Sequence, residues 1–449
     1  MQKRSFDVVL LFILLVARVR IDTVAGLVAP RPQELLARIP LLPVESLRLL
    51  EDWLVDPYSL LIITASFACL LLYVALDWFG EQIAPQRLYR TKLIVLYIIV
   101  FLTIVAQAGL LITLRHFQGP ASFTHDGGVI QTEEAARYLL HGQNPYVEDY
   151  VDTPMAEWGT DLKTALYHFP YLPWTFVSAA PFYWLFNVLF GWYDQRIVYL
   201  LLFVVMMWLA PKLATTPSDK LCLTMILGLN PIMGNDLIFG QNDSFVLFWV
   251  VVCAYGLLRR RWHWAAISLG LALASKPTVW FLIPFFLVYL WGSLGRDERG
   301  PLAYLQKLWP AALVFAGLVL PFLLWNPGAM FDDVWRWSSG TIETAYQMRG
   351  WGFANLVLAL QLVQSRLDYF PFWIPTVIFG LPLLAGLLWR QLHRNNSVGA
   401  MLYGYALFAF TFLFFSRFLN ENYVGYLLAC AALGYYVRGE GSMPTVEQD

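Results

Sequence analysis

The clearest pattern along the chain is a succession of long apolar runs separated by shorter polar segments. Two of these runs are YSLLIITASFACLLLYVALDWF (58–79) and TKLIVLYIIVFLTIVAQAGLLITL (91–114). Each reaches the roughly 20 apolar residues that a helix needs to cross the hydrocarbon core of a bilayer. The pattern therefore predicts an all-α polytopic membrane protein, with a bundle of about 11–13 transmembrane helices.

The amino-acid composition supports a membrane protein and argues against several other classes of protein. The 449 residues are 59% hydrophobic and 14% charged, against roughly 25% charged residues in soluble domains. A net charge of −1, with no basic surface interleaved with aromatic residues, predicts no nucleic-acid partner. The four cysteines lie in or beside apolar runs without CxxC spacing, which is typical of small buried hydrophobes rather than of a disulfide or metal framework.

Arginine clusters orient the helices, because basic residues accumulate in cytoplasmic loops. Clusters at Arg87/Arg90, Arg259–Arg261 and Arg390/Arg394 are placed inside. The helix at 93–114 then runs outward, and the polar loop 115–170 lies on the extracytoplasmic side. The segments 239–244, 326–370 and 417–422 are expected on the same side.

Two apolar segments are interrupted by proline. One contains Asn230-Pro231, and the other, residues 264–291, contains Lys276-Pro277 near its middle. Each arm of the second spans roughly 18–22 Å, short of the roughly 30 Å core. Broken helices are tolerated at membrane depth where they are buried in protein or line a wet cavity, and an ammonium there costs about 3 kcal/mol or more unless it has a partner. We therefore expect re-entrant or broken helices, with Lys276 beside an anion in a cavity open to the outer face.

The outer loop contains the polar stretch FTHDGGVIQTEEAARYLLHGQNPY (123–146). Thr132 as N-cap and Gly142 as stop signal predict a short amphipathic helix along the membrane surface. Its apolar face would hold Ala135, Ala136, Leu139 and Leu140. Gly127-Gly128 would allow the backbone to approach a substrate closely.

The chain divides into two expected regions. Residues 1–90 are predicted to be accessory transmembrane helices, starting with an uncleaved first helix or signal anchor. Residues 91–449 are predicted to form the core, with 115–170 as its outer catalytic loop.

Several motifs carry a family resemblance. An aspartate early in the first large outer loop, followed by EEAARYLLHGQNPY, YHFPYLPW, GQND and ASKP, resembles the glycosyltransferase C superfamily over residues 93–437 or so. The likeness is greatest to family 87, the polyprenyl-phosphate-mannose-dependent mannosyltransferases. The resemblance implies a glycosyltransferase C-like bundle whose catalytic base is the acidic residue of that loop, here Asp126. Glu133 and Glu134 remain the alternative bases.

Chemical reasoning leads to a compatible site. A sugar that leaves a lipid phosphate needs one base to deprotonate the acceptor hydroxyl, and cations to stabilise the departing phosphate. We assign the phosphate to Lys276, Arg417 and His168. The other expected substrate contacts are His125, Tyr167, Gln241, Asn242, Asn422 and Tyr423. We expect no metal and no cofactor.

The predicted function is hexosyl transfer, with mannose as the sugar, from a polyprenyl-phosphate donor to a lipid or glycan acceptor. A single base implies inversion at the anomeric carbon. The protein would be a multi-pass protein of the plasma or inner membrane, with its active site on the extracytoplasmic side. A secondary transporter for an anionic or sugar substrate is the main alternative, because broken helices and a buried lysine are also typical of transporters. A polytopic acyl- or phosphotransferase and a non-catalytic subunit are further alternatives.

Overall fold

The computed structural model describes residues 6–24, 29–158, 163–294 and 300–437. Their regular secondary structure is helical apart from one pair of two-residue strands. The α-helices are α1 (Phe6–Val24), α2 (Gln33–Leu36), α3 (Val44–Leu49), α4 (Pro57–Phe79), α5 (Pro85–Val100), α6 (Gln107–Gln118), α7 (Gln131–Leu140), α8 (Trp174–Phe190), α9 (Arg196–Leu209), α10 (Pro217–Leu229), α11 (Pro231–Phe239), α12 (Asp243–Leu258), α13 (Trp262–Leu273), α14 (Ile283–Ser293), α15 (Pro301–Trp325), α16 (Pro327–Phe331), α17 (Trp337–Ser339), α18 (Ala354–Ala359), α19 (Trp373–His393), α20 (Val398–Phe414) and α21 (Glu421–Tyr436).

Shorter helical segments and two strands complete the fold. The 3₁₀ segments are Gly80–Gln82, Pro154–Glu157, Lys163–Tyr167, Ala210–Lys212 and Pro277–Leu282, and the π-helical segments are Phe101–Ala106, Asp126–Ile130 and Asp332–Arg336. The strands β1 (Arg349–Gly350) and β2 (Phe418–Leu419) pair in parallel, with Arg349 opposite Phe418.

Four helical stretches of the described residues are long and apolar enough to cross a membrane: Pro57–Gln82, Pro85–Gln118, Pro301–Trp325 and Trp373–His393. Both apolar runs chosen from the sequence lie within these stretches. Large apolar side chains are exposed along α19, from Trp373 to Trp389, as a lipid-facing surface requires. The prediction of an all-α polytopic membrane protein is therefore confirmed. The number of about 11–13 spans stays a prediction, because five more apolar helices have only 10–17 residues.

The predicted interruptions occur where the prolines stand. Helices α10 and α11 meet at Asn230-Pro231 with a bend of 45°, and together they would make a fifth span. The Asn230 side chain accepts from the backbone N–H groups of Ile232 and Met233, so the asparagine caps the new helix that the proline begins. The second interruption separates α13 from the 3₁₀ segment Pro277–Leu282, and Lys276 lies in the gap.

The first helix is packed within the bundle. Its residues Asp7 and Arg18 are both buried, with exposed fractions of 1% and 0%. Asp7 forms an ion pair with Lys92 at 2.9 Å, and Arg18 donates to the carbonyl oxygen of Pro231 at 2.5 Å. Helix α1 thus contacts residues of the predicted core region, although the predicted boundary near residue 90 stays a prediction. Residues 1–5 and 438–449, the ends of the two predicted regions, lie outside the described residues.

The outer loop has an apolar core of its own. Aromatic residues Tyr146, Tyr150 and Phe169 pack there against Phe176 of α8 and Phe322 of α15. This core fixes the loop on the ends of two membrane helices.

The predicted amphipathic helix is present as α7, which ends at Leu140 before Gly142. Two details of that prediction are wrong. Thr132 is not the N-cap, because a π-helical turn extends the helix backward to Asp126 and the Thr132 hydroxyl donates to the carbonyl of Gly127 at 3.0 Å. Leu140 does not share the buried face, since it is 45% exposed, whereas Ala135 and Ala136 are fully buried.

Candidate active site

Asp126 begins the π-helical turn Asp126–Ile130, and neighbouring segments hold this turn from two sides. The Tyr199 hydroxyl donates to the carbonyl of Gly128 at 2.6 Å, and the backbone N–H of His125 donates to the carbonyl of Phe239 at 2.9 Å. A Cβ at Gly128 would overlap the carbonyl oxygen of Gly240. Glycine is therefore required for the close approach of the two backbones, and this packing fixes the position of Asp126.

The Asp126 carboxylate lies in a partly enclosed, positively polarised setting. Its side chain is 17% exposed, and its Oδ1 lies 2.5 Å from Nδ1 of His125. Burial alone would raise the pKa of Asp126, but His125, the Gly127 N–H and the charge of Arg349 outweigh it, and the pKa is lowered. Asp126 is therefore ionised at neutral pH and able to accept a proton.

Lys276 occupies the helix interruption and is 4% exposed. Its Nζ lies 2.8 Å from Oδ1 of Asp243, the first residue of α12. The ammonium also lies 5.3 Å from the ring centres of Tyr171 and Tyr423, and the Asn422 amide donates to the other oxygen of Asp243 at 2.5 Å. The anion expected beside Lys276 is thus a carboxylate of the protein itself.

Tyr171 connects the two parts of the site. A Cβ added at Gly127 would lie 2.5 Å from the Tyr171 hydroxyl oxygen, while the face of the same ring meets Lys276. The structure therefore brings together the turn at Asp126, the end of the outer loop, the start of α12, the gap before Pro277 and the start of α21.

Arg417 and His168 are placed differently from what the sequence suggested. The Arg417 guanidinium donates to the backbone carbonyls of Tyr346, Asp368 (2.7 Å) and Arg366 (2.9 Å), and so holds the segment 346–368 in place. The His168 ring is also engaged on both sides, with Nδ1 2.7 Å from Oδ1 of Asp333 and Nε2 2.6 Å from Oγ1 of Thr344. Their role as phosphate ligands stays a prediction that this geometry does not favour.

The alternative bases are also engaged. Glu133 accepts two hydrogen bonds from Arg115, at 2.9 and 2.8 Å, and one from the backbone N–H of Gln195 at 2.8 Å. Asp194 adds a second carboxylate to the same arginine at 2.9 Å. Glu134 pairs with Arg137, one turn further along α7, at 2.6 Å. Among the three acidic candidates, Asp126 is the one next to the Tyr171 and Lys276 group.

The remaining expected contacts vary in position. Asn422 and Tyr423 belong to the Lys276 group described above, and Asn242 beside it is buried, with its amide nitrogen lacking a partner among the described residues. Gln241 is half-buried next to Gly240. Tyr167 is 51% exposed on the outer loop.

Three residues that the sequence analysis did not select also belong to this region: Asp243, Tyr171 and Arg349. A buried ammonium needs a counter-charge, and this requirement was the signal that could have identified Asp243. The residue lies within the GQND motif. Nothing in the sequence pattern indicated Arg349, because its position depends on the pairing of two-residue strands.

The fold and site together have the features of an integral-membrane glycosyltransferase. They combine an all-α membrane bundle, an ionised carboxylate on the turn that begins at Asp126 and helices that are broken at Pro231 and Pro277. Residues 135–292, about a third of the chain, match the MptA_B family model, described as "Alpha-(1->6)-mannopyranosyltransferase, N-terminal domain". This match confirms the resemblance to the mannosyltransferases and supports glycosyl transfer by this chain.

The matched region begins after Asp126 and ends before Arg349. It includes Lys276 and Asp243. No curated protein and no solved structure matches the chain.

Proposed function

We propose that the protein transfers mannose from a polyprenyl-phosphate carrier to a glycolipid or glycan acceptor on the extracytoplasmic side of the membrane. Asp126 is the general base. The acceptor hydroxyl oxygen forms a bond to the anomeric carbon, the bond from that carbon to the phosphate oxygen breaks, and the phosphate departs with the electron pair. The hydroxyl proton passes to Asp126, and a single displacement inverts the anomeric centre.

The observation that carries this proposal is the setting of Asp126. An ionised, partly accessible carboxylate lies on a turn that is fixed by Tyr199 and by the contact of Gly128 with Gly240. A fixed base loses little entropy when it meets its substrate, and general-base catalysis contributes about 10²–10⁴-fold to rate. The match to the mannosyltransferase family supports the choice of sugar.

The test uses the full chain in lipid nanodiscs with short-chain polyprenyl-phosphate mannose and native lipid acceptors. Release of polyprenyl phosphate is expected from the wild type, and a loss of at least about 10²-fold from Asp126→Asn. Glu134→Gln is the matched control. Its carboxylate is 14% exposed and its one ion pair among the described residues is with Arg137, away from the Tyr171 and Lys276 group, so the rate of this variant should stay close to that of the wild type.

Two outcomes contradict the proposal. Retained release by Asp126→Asn together with loss in Glu134→Gln would move the base to α7. Silence of the wild type with every donor and acceptor supplied would favour the transporter alternative, to be followed by uptake of labelled sugars into proteoliposomes.

A further inference from the structure

The cations that the sequence offers for the donor phosphate are already neutralised or engaged within the protein. Lys276 is paired with Asp243 at 2.8 Å and enclosed by two tyrosine rings. Arg417 directs its donors at three backbone carbonyls. A phosphate bound beside Asp126 therefore needs another cation, and one whose donors reach solvent.

Arg349 has the required position. It is exposed at its side chain, and its charge acts on the Asp126 carboxylate. In contrast to Lys276 and Arg115, it forms no ion pair with any carboxylate of the described residues. Its strand partner Phe418 lies 6.1 Å, ring centre to ring centre, from Tyr423, and the Tyr423 ring meets Lys276. The strand pairing thus places this exposed arginine beside the site.

The backbone around Arg349 is held firmly although the side chain is exposed. Strand β1 pairs with β2 through Arg349 and Gly350, opposite Phe418 and Leu419. Gly350 has φ +89°, and a Cβ there would overlap the carbonyl oxygen of Leu419, so glycine is needed for this pairing. The Arg417 guanidinium also donates to the backbone carbonyl of Tyr346 in the same segment.

Tyr346 further positions this segment. Its hydroxyl accepts from the amide of Asn420 at 3.1 Å, and its ring centre lies 4.7 Å from that of Phe418, the strand partner of Arg349. Asn420 directly precedes α21, whose first turn carries Asn422 and Tyr423 of the Lys276 group. Arg349 is therefore tied through Tyr346 to the same helix end that contacts the centre of the site.

We propose that Arg349 binds the phosphate of the lipid-linked donor and stabilises its negative charge as the bond to the sugar breaks. A guanidinium binds phosphate oxygens through two parallel N–H donors, which suits it to hold a departing phosphate in a fixed orientation. The assignment rests on the proposed function, and it adds the residue that recognises the donor headgroup.

The assignment has a consequence for Asp126. In the free enzyme, Arg349 is one of the groups that lower the pKa of this carboxylate. The phosphodiester monoanion of the bound donor offsets that positive charge, so Asp126 becomes a stronger base when the donor is present. Proton abstraction from the acceptor is thereby coupled to donor binding.

The test measures binding rather than turnover. A fluorescent short-chain polyprenyl phosphate and the matching uncharged polyprenol are titrated into the full-length protein in nanodiscs of neutral lipid. The variants are Arg349→Gln, Arg349→Lys and the control Arg366→Gln, an exposed arginine of the same segment that contacts Arg417 through its backbone carbonyl rather than its side chain.

We expect Arg349→Gln to weaken phosphate binding about 10- to 100-fold, Arg349→Lys to recover part of the loss, and Arg366→Gln to bind as the wild type does. Polyprenol binding should be unchanged in all four proteins, which also shows that each is folded. Equal phosphate affinity for Arg349→Gln and wild type overturns the assignment but leaves the proposed function standing. Loss of phosphate and polyprenol affinity together also overturns it, because the arginine would then have a structural role. A wild type that does not prefer the phosphate over the alcohol contradicts the donor class itself.

Discussion

Removing the charge of Lys276 should destabilise the protein strongly, because its partner would remain buried. Lys276 and Asp243 are 2.8 Å apart, with side chains that are 5% and 2% exposed. In Lys276→Met, the Asp243 carboxylate keeps Asn422 as its neutral donor but loses its counter-charge. Breaking a buried pair on one side costs about 3–5 kcal/mol, since the uncompensated charge can no longer be hydrated. The free energy of unfolding should fall by that amount.

The double variant separates pairing from general loss of packing. Lys276→Met combined with Asp243→Asn leaves no buried charge at this position, so its cost should be smaller than the sum of the two single variants by at least about 2 kcal/mol. The control is Glu134→Gln, which breaks an i,i+3 ion pair within α7 that is more exposed than the Lys276–Asp243 pair, with Arg137 35% and Glu134 14% exposed. Its cost should stay below about 1 kcal/mol.

The assay is equilibrium unfolding of the purified proteins, transferred from mild detergent into increasing fractions of sodium dodecyl sulfate and followed by far-ultraviolet circular dichroism. A cost for Lys276→Met no greater than that of Glu134→Gln would refute the reasoning, because it would mean that water or another group hydrates Asp243. Additive costs in the double variant would refute the pairing itself.

Two further predictions concern Gly128 and Asp333. Gly128→Ala should lower the free energy of unfolding by about 1–3 kcal/mol and remove most of the transfer rate, because its Cβ would overlap the carbonyl of Gly240. The control is Gly109→Ala, whose added carbon has no atom within 4 Å. It should change neither the free energy of unfolding nor the transfer rate appreciably. Burial raises the pKa of Asp333 to about 6, although His168 and the Phe169 N–H act in the opposite direction. A raised pKa means that the folded protein favours protonated Asp333. This contribution to the free energy of unfolding is complete below about pH 4 and is lost as the pH rises through about 6. Between those limits the wild type should lose roughly 3 kcal/mol relative to Asp333→Asn, and parallel pH profiles of the two proteins would contradict this.

Apolar periodicity and proline placement were sufficient to predict much of the fold. Helices α4 and α5–α6 follow from uninterrupted apolar runs, and the breaks at Pro231 and Pro277 follow from the missing N–H of proline. The exact start of α7 could not be derived in this way. A π-helical turn depends on how the Gly127-Gly128 backbone packs against a distant segment, and no local pattern contains that information.

The site was predictable where chemistry imposed a requirement. A lysine at a helix break is unusual in an apolar chain, so Lys276 stood out. Asp126 was selected among several acidic residues of the loop through the family resemblance, with Glu133 and Glu134 as alternatives. The partners of these charged groups could not be assigned from the sequence. Tertiary packing alone brings Lys276 to the Asp243 carboxylate and Arg417 to the backbone carbonyl of Asp368. A membrane-edge arginine followed by polar residues looks the same in sequence whether it binds substrate or the protein's own backbone.

The buried arginine of the first helix has a consequence for how the chain is made. Arg18 donates to the carbonyl of Pro231, which lies 213 residues further along. At about 5–20 residues per second, that acceptor leaves the ribosome roughly 10–40 s after the arginine does. During this interval α1 would either keep its guanidinium at the membrane–water boundary or be held by the insertion machinery. We therefore expect α1 to enter the membrane early but to reach its final depth and rotation only after α11 has been synthesised.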